Sequence, residues 1–382
     1  MLRLTLAIFS LLLPLPLLVT FQTLWFWKAT LIVGEYGHRL AVLTALLAIG
    51  CWRGKEVLAT VLASTATLVL LTPLLTALLL ARDLPAQMTA AFGHAESGAP
   101  LSLKDLLLGF GAARVTPTEH RLPDTDAGVS RRLLLFPAAS DQPQPAPIIF
   151  VIHGGGWQNG SAEEFPEWSS QWAAEGYAVV SLEYRLAPKW TWPAPLEDVR
   201  DALAYVKAHA EEWHVDASRI VLLGRSAGGQ IATAAAVQLR DPAIRGVISL
   251  YAPADMVFAR RFADPEDVLD SFKLIRQYMG GEPEALPELY QSASATLTAD
   301  AACPPVLLIH GQRDILVWQL QSRRLAEHLR QKGVAHHFLD LPWATHALDY
   351  PLYGPSSQLL RYAMRSFLKS RLGQAAEARL PN

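Results

Sequence analysis

A single serine lies where a strand-like segment meets a helix-like one. Residues 219–223 are apolar after the first position and favour a buried strand, whereas the alanine-rich residues 230–239 favour a helix. Between them the sequence Gly224-Arg225-Ser226-Ala227-Gly228-Gly229 surrounds Ser226 with small residues. A chain can turn sharply around an exposed serine only if its neighbours are small. The pattern therefore predicts a nucleophile elbow in a fold that alternates strands and helices.

Two residues further along the chain complete a candidate set with this serine. A serine hydroxyl is a poor nucleophile unless a base takes its proton and a third group orients that base. Asp314 follows the predicted strand 306–310, and His346 follows the predicted strand 335–341. We therefore expect Ser226 to be the nucleophile, His346 the general base and Asp314 the orienting acid, in the order Ser, Asp, His.

The other histidines are weaker candidates for the base. His336 and His337 are adjacent in a predicted strand, so their side chains point to opposite faces and cannot act together. His310 ends a predicted strand, and we expect it to brace the turn before Asp314.

A further acid and a further serine are weaker candidates for the site. Asp340 lies inside the last predicted strand and is the alternative orienting acid. Ser161 also follows a glycine, but Ser161-Ala162-Glu163-Glu164 has capping-box spacing and predicts the start of a helix.

A glycine run supplies candidate donors for the negative oxygen of a tetrahedral intermediate. His153-Gly154-Gly155-Gly156-Trp157 directly follows the predicted strand 148–153. Glycines leave backbone N–H groups bare, and each well-placed donor contributes about 3 kcal/mol to transition-state stabilisation. We expect Gly155, Gly156 and the N–H of Ala227 to form an oxyanion hole, the alternative being a merely flexible loop.

The remaining pattern predicts the fold class. Strands expected at residues 128–136, 148–153, 178–184, 219–223, 246–251, 306–310 and 335–341 alternate with helices at 196–213, 230–239, 318–332 and 358–372, with a Pro-rich turn at 141–147. Strands that are apolar throughout and separated by helices predict an α/β domain with a mostly parallel sheet covered on both faces. Residues 252–302 interrupt the alternation and are expected to form a lid over the pocket.

The first 82 residues have a different composition. They contain only eight charged side chains: Arg3, Lys28, Glu35, Arg39, Arg53, Lys55, Glu56 and Arg82. Residues 4–27 and 57–81 are uncharged and long enough to cross a bilayer as helices, and 40–52 is a shorter third candidate. A cleaved signal peptide is the alternative for the first stretch, although Pro14 and Pro16 interrupt it. The pattern predicts a membrane anchor with two or three transmembrane helices.

Charge predicts how such an anchor is oriented. Lysine and arginine accumulate on the cytoplasmic side of membrane spans. Three spans with Arg3 inside also leave Arg53 and Lys55 inside, and the large domain outside. We therefore expect an extracytoplasmic domain, with the lipid bilayer as a partner. The net charge of −2 divides into +4 before residue 83 and −6 after it, which offers nucleic acid no attractive surface.

The two cysteines of the chain are not spaced like metal ligands or a redox pair. Cys51 and Cys303 lack metal-ligand or redox spacing, and we interpret both as unpaired structural residues. Their spacing therefore does not indicate a metal or redox site, and the absence of a metal or organic cofactor is an expectation that comes from the family resemblance described next.

These motifs together resemble a known family. The glycine run, Glu183-Tyr184-Arg185-Leu186-Ala187-Pro188, the serine turn, the Asp314 loop and His346 are similar to those of the α/β-hydrolase esterases of the hormone-sensitive-lipase and feruloyl or acetyl esterase-like groups, including BD-FAE-like proteins. The resemblance covers residues 128–370 and implies an α/β-hydrolase fold without a cofactor. It implies that His153 and Tyr184 to Pro188 support the oxyanion loop. Arg225, where many relatives carry Asp, and Trp157 after the glycines leave the substrate preference open.

The resemblance sets the functional expectation. We expect residues 1–82 to be the anchor, 83–127 a linker with a short helix at 102–109, and 128–375 a catalytic domain that hydrolyses short-chain or lipid-like carboxylic esters through an acyl-enzyme. Trp157 is the candidate substrate-binding residue. Acyl transfer or amidase and formamidase activity with the same three residues is the alternative, and a non-catalytic membrane binding protein is a third interpretation.

Overall fold

The structure is a computed structural model that describes residues 2–111, 114–124, 128–139, 144–264 and 266–373. Part of the expected Pro-rich turn, at residues 141–143, and the expected domain end at residue 375 lie outside these ranges.

One sheet organises the larger part of the molecule. Its strands are β1 (Thr118–Leu122), β2 (Arg131–Phe136), β3 (Ala146–Ile152), β4 (Ala178–Leu182), β5 (Val215–Arg225), β6 (Ile244–Leu250), β7 (Val306–Gly311) and β8 (His336–Leu341). Their spatial order is β1-β2-β4-β3-β5-β6-β7-β8. Strands β3 to β8 pair in parallel, whereas β1 and β2 pair antiparallel at one edge. The sheet is therefore mostly parallel, as the sequence predicts.

Helices precede the sheet and cover it. They are α1 (Leu2–Ser10), α2 (Leu15–Leu18), α3 (Leu24–Arg53), α4 (Val57–Phe92), α5 (Leu103–Leu108), α6 (Pro166–Ala174), α7 (Ala194–Ala208), α8 (Ala227–Leu239), α9 (Met256–Arg261), α10 (Ser271–Met279), α11 (Pro287–Ser292), α12 (Ala295–Thr298), α13 (Leu320–Gln331) and α14 (Pro355–Leu372). We refer to the part from β1 to α14 as the α/β domain.

The core lies on both faces of the sheet because neighbouring side chains of a strand point to opposite faces. Ile148 and Phe150 of β3 belong to the cluster that includes residues of α7, α8 and α13. Ile149 and Val151 belong to the opposite cluster, with residues of α4, α6 and α14. This two-sided covering explains why every residue of β3 is buried.

Helix α4 contributes to two parts of the molecule. Its first half pairs with α3 through residues such as Ala59 and Ala63, which share a small apolar cluster with Cys51. Its last residues, including Leu84, Met88 and Phe92, are buried in the core beneath the sheet. The helix thus continues ten residues past the boundary expected at residue 82, into the expected linker.

The prediction of one membrane span at residues 4–27 is wrong. Helix α1 ends at Ser10, a turn and the short α2 follow, and α3 begins only at Leu24. Pro14 and Pro16 lie in this break, and proline cannot donate the backbone hydrogen bond that a continuous helix requires. By length and composition the two helices that could cross a membrane are α3 and α4. The shorter candidate segment 40–52 is the second half of α3.

Two further expectations differ from the structure. Ser161 does not begin a helix, because residues 161–164 form turns and α6 begins at Pro166. Strand β1 lies inside the segment expected to be a linker, and it gives little apolar pattern because Leu122 is its only buried residue. The short helix expected at 102–109 is present as α5.

The first half of α3 packs on the α/β domain. The backbone N–H of Ser356 donates to Glu35 at 3.1 Å, and the Ser356 hydroxyl bonds the same carboxylate. His38 Nε2 and Arg39 Nε both lie 2.9 Å from the carbonyl oxygen of Leu106. The polar patch that interrupts this apolar helix is therefore bonded to protein groups.

Candidate active site

Ser226 occupies the sharp turn between β5 and α8. Its backbone has φ 50° and ψ −120°, a conformation that few residues with side chains adopt. The turn requires glycine on both sides: a Cβ on Gly224 would lie 2.2 Å from the carbonyl oxygen of Gly228, and a Cβ on Gly228 would lie 2.1 Å from that of Ile152. The short distances explain why the sequence pattern around Ser226 is so restricted.

The three side chains predicted from the sequence lie within hydrogen-bond distance of one another. His346 Nε2 is 3.0 Å from the hydroxyl oxygen of Ser226, and His346 Nδ1 is 2.7 Å from Asp314 Oδ2. Each residue follows a parallel strand: Ser226 follows β5, Asp314 follows β7 and His346 follows β8. Parallel strands bring their carboxyl ends to one edge of the sheet, which is why residues so distant in sequence meet.

Asp314 is buried and surrounded by donors. The backbone N–H groups of Leu316 and Val317 donate to Oδ1 at 2.8 and 2.9 Å. Burial acts to raise the pKa of Asp314, but the charge of His346 and hydrogen bonds from His310 and His346 outweigh it, and the pKa lies well below its usual range. Asp314 is therefore held as a carboxylate.

His310 braces Asp314 as expected. Its Nε2 lies 3.1 Å from Asp314 Oδ2 and 3.0 Å from the carbonyl oxygen of Val317. Two acceptors at one nitrogen imply that Nε2 carries the hydrogen, so that Nδ1 accepts from Ser322 Oγ at 2.8 Å. His310 thus holds Asp314 in place.

The other candidates lie in different surroundings. Asp340 is on β8 and pairs with Arg323 at 3.0 Å. His336 is also on β8, where its Nδ1 lies 2.8 Å from the carbonyl oxygen of Val334. His337 is half-buried, and the partial loss of solvent lowers its pKa to about 4. Ser226 is hydrogen-bonded to His346, and Asp314 is hydrogen-bonded to both His346 and His310.

The glycine run lies next to Ser226, and its N–H groups are not equivalent. The N–H of Gly154 donates to both carboxylate oxygens of Glu164, at 3.0 and 2.9 Å, and is therefore occupied. Gly155 and Gly156 have φ values of 102° and 59°, which favour glycine. Ala227 is the first residue of α8, so its N–H has no acceptor within the helix. Gly156 and Ala227 line the same pocket as Ser226.

Trp157 is held firmly. Its Nε1 donates to Gln230 Oε1 at 3.0 Å, and its ring stacks on Tyr278 at 4.3 Å between centroids. The Tyr278 hydroxyl lies 2.9 Å from the same amide oxygen. Only 4% of Trp157 is exposed. The predicted substrate-binding residue thus lines the pocket with a small part of a largely buried ring.

The segment that begins at Tyr184 supports the glycine run. The Tyr184 hydroxyl donates to the carbonyl oxygen of His153 at 3.2 Å, and the two rings stack at 4.2 Å. The N–H of Ala187 donates to the carbonyl oxygen of Trp157 at 2.9 Å. These contacts hold the glycine run at its first residue, His153, and at Trp157, which follows the last glycine.

A buried set of charges next to the site was missed by the sequence analysis. Arg225 Nε donates to Asp349 Oδ2 at 2.6 Å, and the Tyr251 hydroxyl donates to Asp349 Oδ1 at 2.6 Å. Glu164 lies close enough for its charge to act on this group. Burial raises the pKa of Glu164, against the charge of Arg225 and the hydrogen bond from Gly154. The only sequence indication was Asp349, which comes three residues after His346.

The pocket beside Ser226 has a volume of about 350 Å³. Helices α9 and α10, in the segment expected to form a lid, supply apolar wall residues such as Phe258, Leu274 and Ile275. This volume lies in the range of pockets that hold small organic ligands. Within the described residues, no group of three or more His, Cys, Asp or Glu side chains is placed to hold a metal ion.

The N-terminal segment also reaches the site, which the sequence did not indicate. Gln22, between α2 and α3, lines the pocket. Trp27 Nε1 donates to the carbonyl oxygen of His346 at 3.3 Å. Arg313 donates to the carbonyl oxygens of Pro16 and Val19 at 3.0 and 2.6 Å. The segment therefore contacts His346 itself and Arg313, the residue before Asp314.

Comparison with known proteins identifies relatives of this arrangement. The chain is 29% identical over 251 residues to the esterase LipC of Mycobacterium tuberculosis, covering 61% of this chain and 62% of LipC. It is 29% identical over 231 residues to an ethyl acetate hydrolase of Pseudomonas putida, covering 56% of this chain and 69% of that protein. Among solved structures, a bacterial heroin esterase superposes with a TM-score of 0.59 and 26% identity, over 77% of this chain and 92% of the esterase.

The relatives are not matched over their full length. The chain spans 62% of LipC, 58% of LipQ and 50% of LipM, all from Mycobacterium tuberculosis. Residues 134–329, just over half of the chain, match the BD-FAE family model. This match includes β3, the glycine run, Ser226 and Asp314, and the fold is that of the related esterases. The chain therefore belongs to the BD-FAE family of α/β-hydrolase proteins.

Proposed function

We propose that this protein is a membrane-anchored serine hydrolase that cleaves carboxylic esters through an acyl-enzyme. The observation that carries the proposal is the chain of contacts from Ser226 through His346 to Asp314, at 3.0 and 2.7 Å. Relatives named as esterases support the choice of an ester bond.

In the proposed mechanism the first half-reaction acylates Ser226. His346 Nε2 takes the proton from the hydroxyl as the oxygen attacks the ester carbonyl, and Asp314 stabilises the imidazolium that forms. The N–H groups of Gly155, Gly156 and Ala227 stabilise the negative oxygen. The C–O bond of the ester then breaks, and the departing alcohol takes the proton from His346.

The second half-reaction releases the acid. A water molecule gives a proton to His346 and attacks the acyl carbonyl, and Ser226 leaves with that proton. The sum is ester plus water giving acid plus alcohol.

Replacing the nucleophile tests the mechanism. Ser226→Ala is expected to lower the turnover of p-nitrophenyl acetate at least about a thousandfold, because the attacking oxygen is lost. Ser161→Ala, the same change at another serine that follows a glycine, is expected to retain the rate. A fluorophosphonate probe should label the wild type and not Ser226→Ala. If Ser226→Ala keeps its turnover and labelling, the proposal is wrong.

The membrane part of the proposal rests on the arrangement of α1, α3 and α4. Arg3 at the start of α1 lies 3.5 Å from Glu56, in the turn between α3 and α4. Arg53 and Lys55 belong to the same turn, so three basic residues gather at one end of the helices. The segment after α1 contacts the α/β domain through Arg313, at the other end. By the positive-inside rule, the basic end lies in the cytoplasm and the α/β domain outside it.

A further inference from the structure

The lid and the N-terminal segment form one apolar rim around the pocket. On the lid side, Phe262 is 58% exposed and Trp318 55% exposed, and both line the pocket. On the N-terminal side, Phe21 and Trp25 are exposed at the start of α3. Large apolar side chains grouped at a pocket mouth indicate a surface that meets another apolar phase.

The two sides of this rim are continuous. Ile315 lines the pocket beside Ser226, and it also lines a small cleft with Phe21, Phe26 and Trp27. Phe21 packs edge-on against Phe26 at 4.7 Å. Ile315 therefore joins the lid side of the rim to the N-terminal side, with Thr20 and Arg313 as polar neighbours in the same cleft.

The rim is also continuous with the apolar surface proposed to enter the bilayer. Leu12, Leu13, Leu15 and Leu18, which lead into the rim from α1, are all exposed. Lys28 lies over the ring of Trp25 at 5.2 Å. A basic and aromatic pair of this kind is typical of the boundary between lipid tails and headgroups. This places the pocket mouth at the membrane surface, at the end of the anchor opposite Arg3.

The charges of the pocket limit what can enter. Among its described lining residues there is no Lys, Arg or His. Two lid carboxylates, Asp264 and Asp267, line it in addition to Asp314. An anionic headgroup would meet no cation and several carboxylates there, whereas a neutral apolar ester would not be repelled.

We propose that the substrates are neutral carboxylic esters dissolved in the bilayer, which enter sideways over the rim with the acyl chain on the apolar lid wall. This inference rests on the proposed function, and the reaction is the hydrolysis described above. The lid and the N-terminal segment would then select substrates by their partition into lipid.

The test compares two substrates with the full chain in phosphatidylcholine nanodiscs. One is the water-soluble p-nitrophenyl acetate, and the other is a long-chain diacylglycerol dissolved in the bilayer. For Phe262→Ser we expect the ratio of diacylglycerol rate to acetate rate to fall about tenfold, because an apolar contact with the lipid chain is lost. The control is Leu297→Ser, an exposed lid leucine that does not line the pocket, for which the ratio should change less than about twofold.

A second measurement does not depend on activity, so it still tests the inference if Phe262→Ser fails to fold. A fluorophore on Phe262→Cys, with Cys51 and Cys303 replaced by alanine, should be quenched by nitroxide lipids more strongly than one on Ala301→Cys. Ala301 precedes β7, so it lies near the amino ends of the parallel strands, whereas the pocket lies at their carboxyl ends. Equal quenching at both positions overturns the inference. So does a wild type that cleaves the acetate but not the diacylglycerol, a result that leaves the proposed function standing.

Discussion

At the scale of single residues, the site depends on buried charges whose neighbours hold them in place. Asp349 joins Arg225 and Tyr251 directly behind Ser226, and Glu164 fixes the first N–H of the glycine run. A buried charge is costly unless it is paired or hydrogen-bonded. These residues therefore act on the site through the backbone they position.

The role of Glu164 can be separated from that of its neighbour. Glu164→Gln keeps the size of the side chain but removes the charge and one acceptor for the N–H of Gly154, so the proposed oxyanion donors should be less well placed. We expect kcat for p-nitrophenyl acetate to fall about tenfold with KM nearly unchanged, because these donors act mainly on the transition state. Steady-state kinetics measures both constants.

The control for this experiment is the adjacent acid. Glu163 is half exposed and pairs with Arg132 at 2.7 Å, away from the glycine run. Glu163→Gln should keep kcat. An equal fall in both variants, or a rise in KM alone, would contradict a positioning role for Glu164.

The pH dependence of stability should contain a contribution from Asp314. Its folded-state pKa is below the usual 3.8, so the stability it contributes is present above about pH 4 and is lost as the pH falls. The difference in the free energy of unfolding between wild type and Asp314→Asn should therefore shrink, by on the order of 1 to 3 kcal/mol, between pH 5 and pH 2. Denaturant titrations in detergent at each pH measure it. A difference that does not change with pH would exclude this linkage.

At the level of helices and strands, the turn from β5 into α8 depends on contacts close in sequence, whereas the break between α1 and α3 also involves a contact with a distant residue. The turn is local: close approach of backbone atoms restricts Gly224 and Gly228, so the sequence there predicts the structure. In residues 4–27 hydropathy predicts a helix, yet prolines interrupt it and Arg313 binds the carbonyl oxygens of Pro16 and Val19. Hydropathy depends only on residue types along the segment, so it cannot predict the contact with Arg313.

The tightness of the turn gives a prediction at this scale. Gly228→Ala would place a methyl group 2.1 Å from the carbonyl oxygen of Ile152, so β3 and α8 would have to separate. We expect a loss of about 1 to 3 kcal/mol in stability, seen as a lower melting temperature, together with reduced activity. Gly50→Ala is the matched change in α3, where a new Cβ meets no atom within 4 Å. A similar melting temperature for Gly228→Ala and wild type would show that the turn tolerates a side chain.

At the scale of the whole molecule, the proposed anchor and the α/β domain share structure. Helix α4 passes from the α3 hairpin into the core beneath the sheet, and Glu35 of α3 bonds Ser356 at the start of α14. Gln22 of the N-terminal segment lines the pocket. Removing the first 82 residues would therefore take Ala77 and Ala81 out of that core and Gln22 out of the pocket lining.

The proposed orientation predicts which surfaces reagents can reach. In intact cells, a membrane-impermeant maleimide should label Ala301→Cys, because the proposed orientation places the α/β domain outside the cytoplasm. Lys55→Cys, in the turn at the basic end, should be labelled only after the cells are made permeable. Both variants carry alanine at Cys51 and Cys303. The reverse pattern would place the α/β domain in the cytoplasm.

Local sequence is enough to predict a mostly parallel sheet and the positions of Ser226, Asp314 and His346, because strand patterns and tight turns depend on neighbouring residues. Tertiary contacts set the rest: how far α4 extends into the core, which N–H of the glycine run Glu164 occupies, and the approach of Trp27 and Gln22 to the site. Those features join residues distant along the chain, and nothing in local periodicity or composition specifies which distant surfaces will meet.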